Sequence, residues 1–390
     1  MDFEFWWLLS WPLFFALGWV AARIDIRHLL RESRSLPRTY LSGLNFLVNE
    51  QPDKAIDSFL EAVRIDPQTI ELHFALGSLF RRRGEVDRSI RIHQSLVNRE
   101  DLTVEQRLQA LEELGQDYLK AGLLDRAEAA YEQLRDTPRR DTAFPALLEI
   151  YQQEKNWNKA IEIACQMPDN DHRWECEIAN FHCELAATSM AHSRYDEALQ
   201  QTGEALRVNR RCVRAAMLEG DVRVALGDDK AALESWRRVE QMDPGFLSQV
   251  AERMMEAYRR AGEAEAGIQL LRYYLERYPS LDLLESVFQW DMEHQGAHVA
   301  YALVRDELKR NPTLLGLDKL LEAAVFTAPA DKRTDVELVK GLIHGHTRRV
   351  ARYCCNRCGF KARQFYWRCP ACGEWESYPP RRTEEFDLTP

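Results

Sequence analysis

A regular interval between matching small and large side chains is the feature that most constrains the fold. The interval that separates Gly43 from Gly77 also separates Phe59 from His93. It equals the period of about 34 residues that is typical of a pair of antiparallel helices, in which a small residue admits the neighbouring helix and a large residue fills the groove. One pair cannot bury its apolar face alone, so several pairs must stack into a solenoid with a concave face.

The same frame returns along most of the chain and is typical of tetratricopeptide repeats. Matching positions further along are Gly115, Tyr118, Ala127, Tyr131, Ala198, Ala205, Ala232, Trp236 and Val239. We predict an all-α solenoid of about eight units over residues 36–312, degenerate at residues 143–167 and 179–205. Aromatic residues at the repeat positions are predicted to lie in the core. Helices at residues 314–326 and 335–346 are predicted to cap the solenoid within residues 313–349.

Two C-x-x-C pairs near the end of the sequence predict a metal site. Cys355 and Cys358 form the first pair, Cys369 and Cys372 the second, and a glycine follows each pair. Two thiolates from each tight turn can reach one ion, and the metal supplies folding free energy that a segment of about thirty residues lacks. Four protein ligands leave no open position, which disfavours hydrolytic chemistry, and thiolates suit zinc and iron alike. The metal domain is predicted over residues 350–380, followed by a tail.

The start of the sequence predicts a transmembrane helix. Residues 5–22 carry no charge, and at roughly 1.5 Å per residue they make a helix of about 27 Å, close to the thickness of a hydrocarbon core. Acidic Asp2 and Glu4 precede this run, which disfavours a signal peptide. Five arginines in residues 23–38 place the rest of the chain in the cytoplasm by the positive-inside rule. We therefore predict a span at residues 1–22 and a basic juxtamembrane linker at residues 23–35.

A cytoplasmic location decides how the other cysteines are interpreted, because disulfides are rare in a reducing compartment. Cys165, Cys176, Cys183 and Cys212 lack paired spacing and are predicted to be small core residues. Cys354 is predicted to be a spectator beside the first pair. His344 and His346 lie near the metal segment but are not expected to be ligands, because four cysteines already suffice.

Charge and motifs narrow the possible functions. The net charge of −10 disfavours binding of nucleic acid by the bulk of the chain. Residues 348–382 are locally basic, with nine Lys or Arg against two Glu, which suits either an anionic membrane surface or a solvated face. The sequence has no P-loop, dinucleotide fingerprint, H-E-x-x-H or nucleophile elbow. We therefore predict that the protein is not an enzyme.

The order of these parts resembles the lipopolysaccharide assembly protein B family of Gram-negative bacteria. The resemblance covers essentially the whole chain. It rests on residues 40–47, 53–59 and 76–88 in the repeats, and on Tyr353, Phe360, Tyr366 and Trp367 around the cysteine pairs. It implies a rubredoxin-like domain whose ligands are Cys355, Cys358, Cys369 and Cys372. It also favours iron over zinc and implies that this domain packs back on the repeats.

The resemblance further implies an adaptor at the inner membrane that restrains lipopolysaccharide synthesis. Its expected partners are a membrane-anchored AAA+ protease and its substrate, the UDP-acyl-N-acetylglucosamine deacetylase of the lipid A pathway. Other lipopolysaccharide assembly proteins are further expected partners, and nucleic acid is not one. A single membrane pass would hold the bulk of the chain at the cytoplasmic side of the inner membrane.

Two hypotheses from other classes stay open. The run from Cys369 to Trp375 also resembles the zinc motif of a bacterial recombination ATPase, which suggests a nucleic-acid-binding zinc ribbon on a helical scaffold. A strongly salt-dependent affinity for DNA or RNA would support that hypothesis. A rubredoxin-like redox protein is the second, and it requires iron with a reversible potential.

Overall fold

A computed structural model describes residues 42–43, 45–46, 48–49, 51–65, 69–167, 173–347 and 353–380. The predicted span, the basic linker and the tail after residue 380 lie outside these residues. Among the helices that the structure does describe, none is long and apolar enough to cross a membrane. The chain divides into two compact units, residues 1–154 and 155–390.

The first unit is built from successive antiparallel helices. They are α1 (Pro52–Ile65), α2 (Ile70–Arg83), α3 (Val86–Val97), α4 (Val104–Lys120), α5 (Leu124–Glu132) and α6 (Arg140–Gln153). Helices that are neighbours in sequence pack against each other, and α2 also contacts α4. This pattern of contacts is the stacking that a helical repeat requires.

The second unit continues with helical pairs and ends in a small domain. Its helices are α7 (Trp157–Ala164), α8 (Arg173–Ala191), α9 (Tyr195–Val208), α10 (Val213–Ala225), α11 (Asp229–Met242), α12 (Leu247–Arg260), α13 (Ala264–Arg277), α14 (Leu281–His294), α15 (Ala297–Arg310), α16 (Leu314–Thr327) and α17 (Arg333–Thr347). A short 3-10 turn, Pro244–Phe246, precedes α12. Residues 353–380, here called the knuckle domain, contain β1 (Tyr353–Cys354) and β2 (Lys361–Ala362), an antiparallel pair in which Tyr353 lies opposite Ala362. The sequence predicts an all-α fold, and among the described residues this two-stranded ladder departs from that prediction.

The repeat frame has a direct steric basis. In four repeats, a Cβ atom added to the glycine would lie within 3.0 Å of a ring on the helix that follows. The pairs are Gly43 with Phe59, Gly77 with His93, Gly115 with Tyr131, and Gly220 with Trp236. These four rings are buried, which confirms at these positions the prediction that the aromatic repeat residues lie in the core.

His93 occupies the ring position of its repeat and brings a polar network into the first unit. Its Nδ1 atom lies 2.6 Å from Oδ2 of Asp117, and both side chains are fully buried. Ser89 Oγ donates to Oδ1 of Asp117 at 2.7 Å, and Arg81 Nη1 donates to the same atom at 2.7 Å. A buried carboxylate needs such partners, since an unpaired charge in the interior is strongly destabilising.

One of the cysteine predictions is wrong. Cys183 and Cys212 are buried and Cys176 is half-buried, whereas Cys165 is exposed. Cys165 is the C-cap residue of α7 and follows the last buried residues of that helix, Ile163 and Ala164. Apolar neighbours in the sequence could not reveal that the helix ends there.

Candidate metal centre

Four cysteine side chains converge at one point of the knuckle domain. The Sγ atoms of Cys355, Cys358, Cys369 and Cys372 all lie within 4.8 Å of one another. Cys355 and Cys372 approach to 3.7 Å, and Cys358 and Cys369 to 3.6 Å. An ion with metal–sulfur bonds of about 2.3 Å at the centre of a tetrahedron would separate its sulfurs by roughly 3.8 Å. The arrangement therefore fits a tetrahedral thiolate site.

The two C-x-x-C turns share one backbone pattern. In the first, Cys355 N–H donates to the Phe360 carbonyl and Gly359 N–H donates to the Cys355 carbonyl, both at 2.9 Å. In the second, Cys369 N–H donates to the Glu374 carbonyl at 2.8 Å, and the glycine after Cys372 donates back to Cys369 at 2.9 Å. Both glycines have a φ of 73°, which L side chains rarely adopt. The sequence thus builds two similar knuckles that direct four thiols toward one point.

The electrostatics of the cluster favour a bound cation when all four thiols are ionised. Burial raises the pKa of Cys355, but hydrogen bonds from Ser377 and from backbone N–H groups lower it to about 6. A backbone hydrogen bond from Phe360 lowers the pKa of Cys358, yet desolvation and the three neighbouring thiols raise it to about 12. Four thiolates this close repel one another, so all of them ionise together only when a positive ion neutralises them. The donor set therefore suits a metal that binds thiolate.

Nearby residues outside the four-cysteine cluster have other partners. Cys354 Sγ lies 3.8 Å from the Gly359 carbonyl oxygen and is not part of the convergent group. His344 Nδ1 lies 2.9 Å from Oδ2 of Asp318, between α17 and α16. The side chain of His346 lies outside the described atoms. The structure thus brings together the four cysteines that the spacing singled out.

Aromatic side chains dock the knuckle domain on the repeat helices. The Arg214 guanidinium of α10 lies 5.6 Å from the ring centroids of both Trp367 and Trp375. Trp367 also stacks on Phe246 at 5.8 Å, and Trp375 Nε1 donates to Glu177 of α8 at 2.8 Å. The docking agrees with what the family resemblance implied, but sequence reasoning did not identify the residues that make these contacts. The available signal was the density of aromatic residues in a domain too small to bury them by itself.

This docking bears on the nucleic-acid hypothesis. Trp375 is only 7% exposed, which leaves little of its ring free to stack on a base. Among the nearby cations, Arg357 pairs with Glu374, and Arg368 Nε donates to the Gly373 carbonyl at 3.1 Å. Both arginines thus have partners within the domain, which leaves them less suited to phosphate contacts.

Comparison with known proteins agrees with this architecture. The family model described as rubredoxin metal binding domain matches residues 353–379, and the tetratricopeptide repeat model matches residues 40–97 and 184–245. The chain is 35% identical to the lipopolysaccharide assembly protein B of Escherichia coli strain K12 over 375 residues, 95% of this chain and 96% of that protein. It is 29% identical to the protein of the same name from Haemophilus influenzae over 391 residues, 96% of this chain and 98% of that protein. A helical tetratricopeptide solenoid that ends in a four-cysteine metal-binding knuckle, with this identity along nearly its whole length, belongs to the lipopolysaccharide assembly protein B family.

Proposed function

We propose that this protein is an adaptor at the bacterial inner membrane that regulates lipopolysaccharide synthesis. It promotes degradation of the UDP-acyl-N-acetylglucosamine deacetylase by a membrane-anchored AAA+ protease, and it gathers other enzymes of lipopolysaccharide assembly. The observation that carries the proposal is the stack of tetratricopeptide helices in a chain of this family. Repeat solenoids present extended surfaces that bind other proteins.

Ion pairs between alternate helices, one repeat apart, suit such a binding surface. In the second unit, alternate helices are linked by Glu184 with Arg214 at 2.8 Å, Asp221 with Arg253 at 2.6 Å, and Glu285 with Lys319 at 2.6 Å. Each pair spans close to one repeat of the sequence, so such pairs hold the first helices of successive units in a fixed order. A fixed surface loses less conformational freedom when a partner binds.

We further propose that Cys355, Cys358, Cys369 and Cys372 hold one Zn²⁺ or Fe ion. A closed four-thiolate site supplies folding free energy to the knuckle domain and has no open position for a substrate. The ion thus has a structural role, and the protein acts without catalysis of its own. The resemblance to the family favours iron.

The predicted layout of the chain completes the proposal. Residues 1–22 span the membrane, residues 23–35 form a basic linker, and the repeats, the cap and the knuckle domain lie on the cytoplasmic side. The uncharged run at residues 5–22 and the arginines that follow support this topology. Confinement to the membrane raises the effective concentration of a membrane-bound protease.

A pulse-chase of the deacetylase in cells with and without this protein tests the function. Depletion is expected to lengthen the half-life of the deacetylase and to raise lipopolysaccharide, while the specific activity of the deacetylase stays the same. An adaptor supplies proximity rather than transition-state stabilisation. An unchanged half-life on depletion would instead favour a scaffold for other lipopolysaccharide enzymes.

A further inference from the structure

Helix α10 begins without a cap of its own. Cys212 occupies the N-cap position, but its side chain makes no capping hydrogen bond within the helix. The next helix, α11, is capped locally, because Asp228 accepts the backbone N–H of Ala231 at 3.0 Å. The first N–H groups of a helix have no intrahelical acceptor, so those of α10 must find one elsewhere.

Glu376 of the knuckle domain supplies that acceptor. Its carboxylate accepts the backbone N–H of Val213 at 3.1 Å and that of Arg214 at 3.4 Å. The Cys212 thiol donates to the same carboxylate at 3.0 Å, and Asn180 Nδ2 of α8 donates to it at 3.4 Å. A negative charge at a helix N-terminus is also favoured by the helix dipole. Glu376 therefore caps α10 from a distant part of the sequence.

The backbone of Glu376 is held in this position by its surroundings. Its φ is 49°, in the left-handed region that non-glycine residues rarely adopt. Such a conformation persists only where neighbouring contacts determine it. Here the Glu376 N–H donates to the Trp367 carbonyl at 2.8 Å, within the knuckle domain.

The segment that carries Glu376 is attached to the cysteine cluster on both sides. On one side, the Glu374 carbonyl accepts the N–H of Cys369 at 2.8 Å. On the other, Ser377 Oγ lies 3.3 Å from Cys355 Sγ, and the Ser377 carbonyl accepts the N–H of Asn356 at 2.7 Å. The conformation of residues 374–377 thus depends on that of both knuckles.

We propose that Glu376 is a positioning residue that transmits metal occupancy of the knuckles to helix α10. When the four thiolates hold the ion, residues 374–377 are fixed and the carboxylate caps α10. When the ion leaves, the cap is released and the first turn of α10 loosens. Helix α10 carries Arg214 and Asp221, which pair with Glu184 of α8 and Arg253 of α12. The change at the start of α10 therefore reaches the ion pairs that link these repeat helices. The inference rests on the proposed metal site and not on the identity of any partner.

Residue-resolved hydrogen exchange of the purified full-length protein, metal-loaded and chelator-treated, tests this coupling. The N–H groups of Val213 and Arg214 are direct reporters, because the structure gives Glu376 as their acceptor. Metal removal is expected to speed their exchange roughly twofold to thirtyfold, the range that corresponds to loss of one cap. Glu376→Ala is expected to speed the exchange of these two N–H groups by the same factor while metal is bound. Removing the metal from that variant is expected to cause no further increase in their exchange rate. Glu376→Gln keeps an acceptor oxygen and is expected to restore part of the protection.

Asp228→Ala provides the matched control. It removes a local cap, so the N–H of Ala231 is expected to exchange faster whether or not metal is bound. Faster exchange throughout α11 and α12 on metal removal would show global unfolding and would contradict a local relay. If elemental analysis shows that the protein has lost its ion while the protection of Val213 and Arg214 is unchanged, that result would overturn the coupling but not the metal site. Elemental analysis that finds no bound ion in the purified protein would overturn both the coupling and the metal site. The adaptor function is tested separately, by the half-life of the deacetylase.

Discussion

At the scale of single residues, spacing alone identified the cysteines that converge. Two thiols per turn and a glycine after each pair are local features, so the sequence contains them fully, and the four Sγ atoms meet as predicted. The sequence contains no comparable pattern that would predict the docking contacts of Glu376 and Arg214. Their partners lie in distant parts of the sequence, and a glutamate or arginine on a polar surface looks the same in sequence as one that docks a domain. The exposure of Cys165 was missed because it depends on where α7 ends.

Serine substitutions test the ligand assignment. Cys355→Ser or Cys372→Ser is expected to release the ion and unfold the knuckle domain, because an incomplete four-thiolate site loses much of its binding free energy. Elemental analysis would report the ion, and a red shift of tryptophan fluorescence would report that Trp367 and Trp375 have undocked. Cys354→Ser is the control and is expected to keep the ion. If that variant lost the ion while Cys355→Ser kept it, the assignment would be shifted by one residue.

At the scale of helices, the repeat pattern was predictable because its cause is steric and periodic. A glycine on one helix and a ring on the next recur at a fixed spacing, so one sequence shows the pattern several times. The same logic could not foresee the polar network of His93 and Asp117, since a histidine in the ring position satisfies the pattern without revealing its partner. Sequence therefore predicted which positions are buried better than it predicted what buried polar groups contact.

Glycine substitutions test the helix packing. A methyl group at Gly220 would meet the buried ring of Trp236, so Gly220→Ala is expected to destabilise the protein by about 1–3 kcal/mol. Gly203 in α9 has nothing within 4 Å of the same added atom, so Gly203→Ala is expected to stabilise by up to about 1 kcal/mol through helix propensity. Denaturant unfolding of both variants measures the two changes. A stabilising Gly220→Ala would show that the two helices can separate without cost.

At the scale of the whole molecule, the proposed function depends on parts that act together. The knuckle domain packs on α8 and on the start of α10 through contacts of Trp375 and Glu376 with Glu177, Val213 and Arg214. The predicted membrane span would hold that surface near a membrane-bound protease. A tether, a binding surface and a metal-stabilised domain are together what an adaptor needs.

Deleting residues 1–22 tests the tether. The shortened chain is expected to fold and remain soluble, but to support deacetylase turnover poorly, because loss of confinement lowers the effective concentration of the partner. Deacetylase half-life in cells that carry only the shortened chain gives the measurement. An unrelated membrane span fused in its place is the control and is expected to restore turnover. Full turnover with the soluble chain would mean that the span is dispensable.

Degradation of the deacetylase by the AAA+ protease, reconstituted from purified components in lipid vesicles, tests the central claim most directly. Adding the metal-loaded full-length protein is expected to raise the degradation rate, while the kcat of the deacetylase on its own substrate stays unchanged. Protein with Cys355→Ser is expected to raise the degradation rate less, because the unfolded knuckle domain would no longer pack on the repeat helices. An equal degradation rate with and without the wild-type protein would contradict the adaptor account.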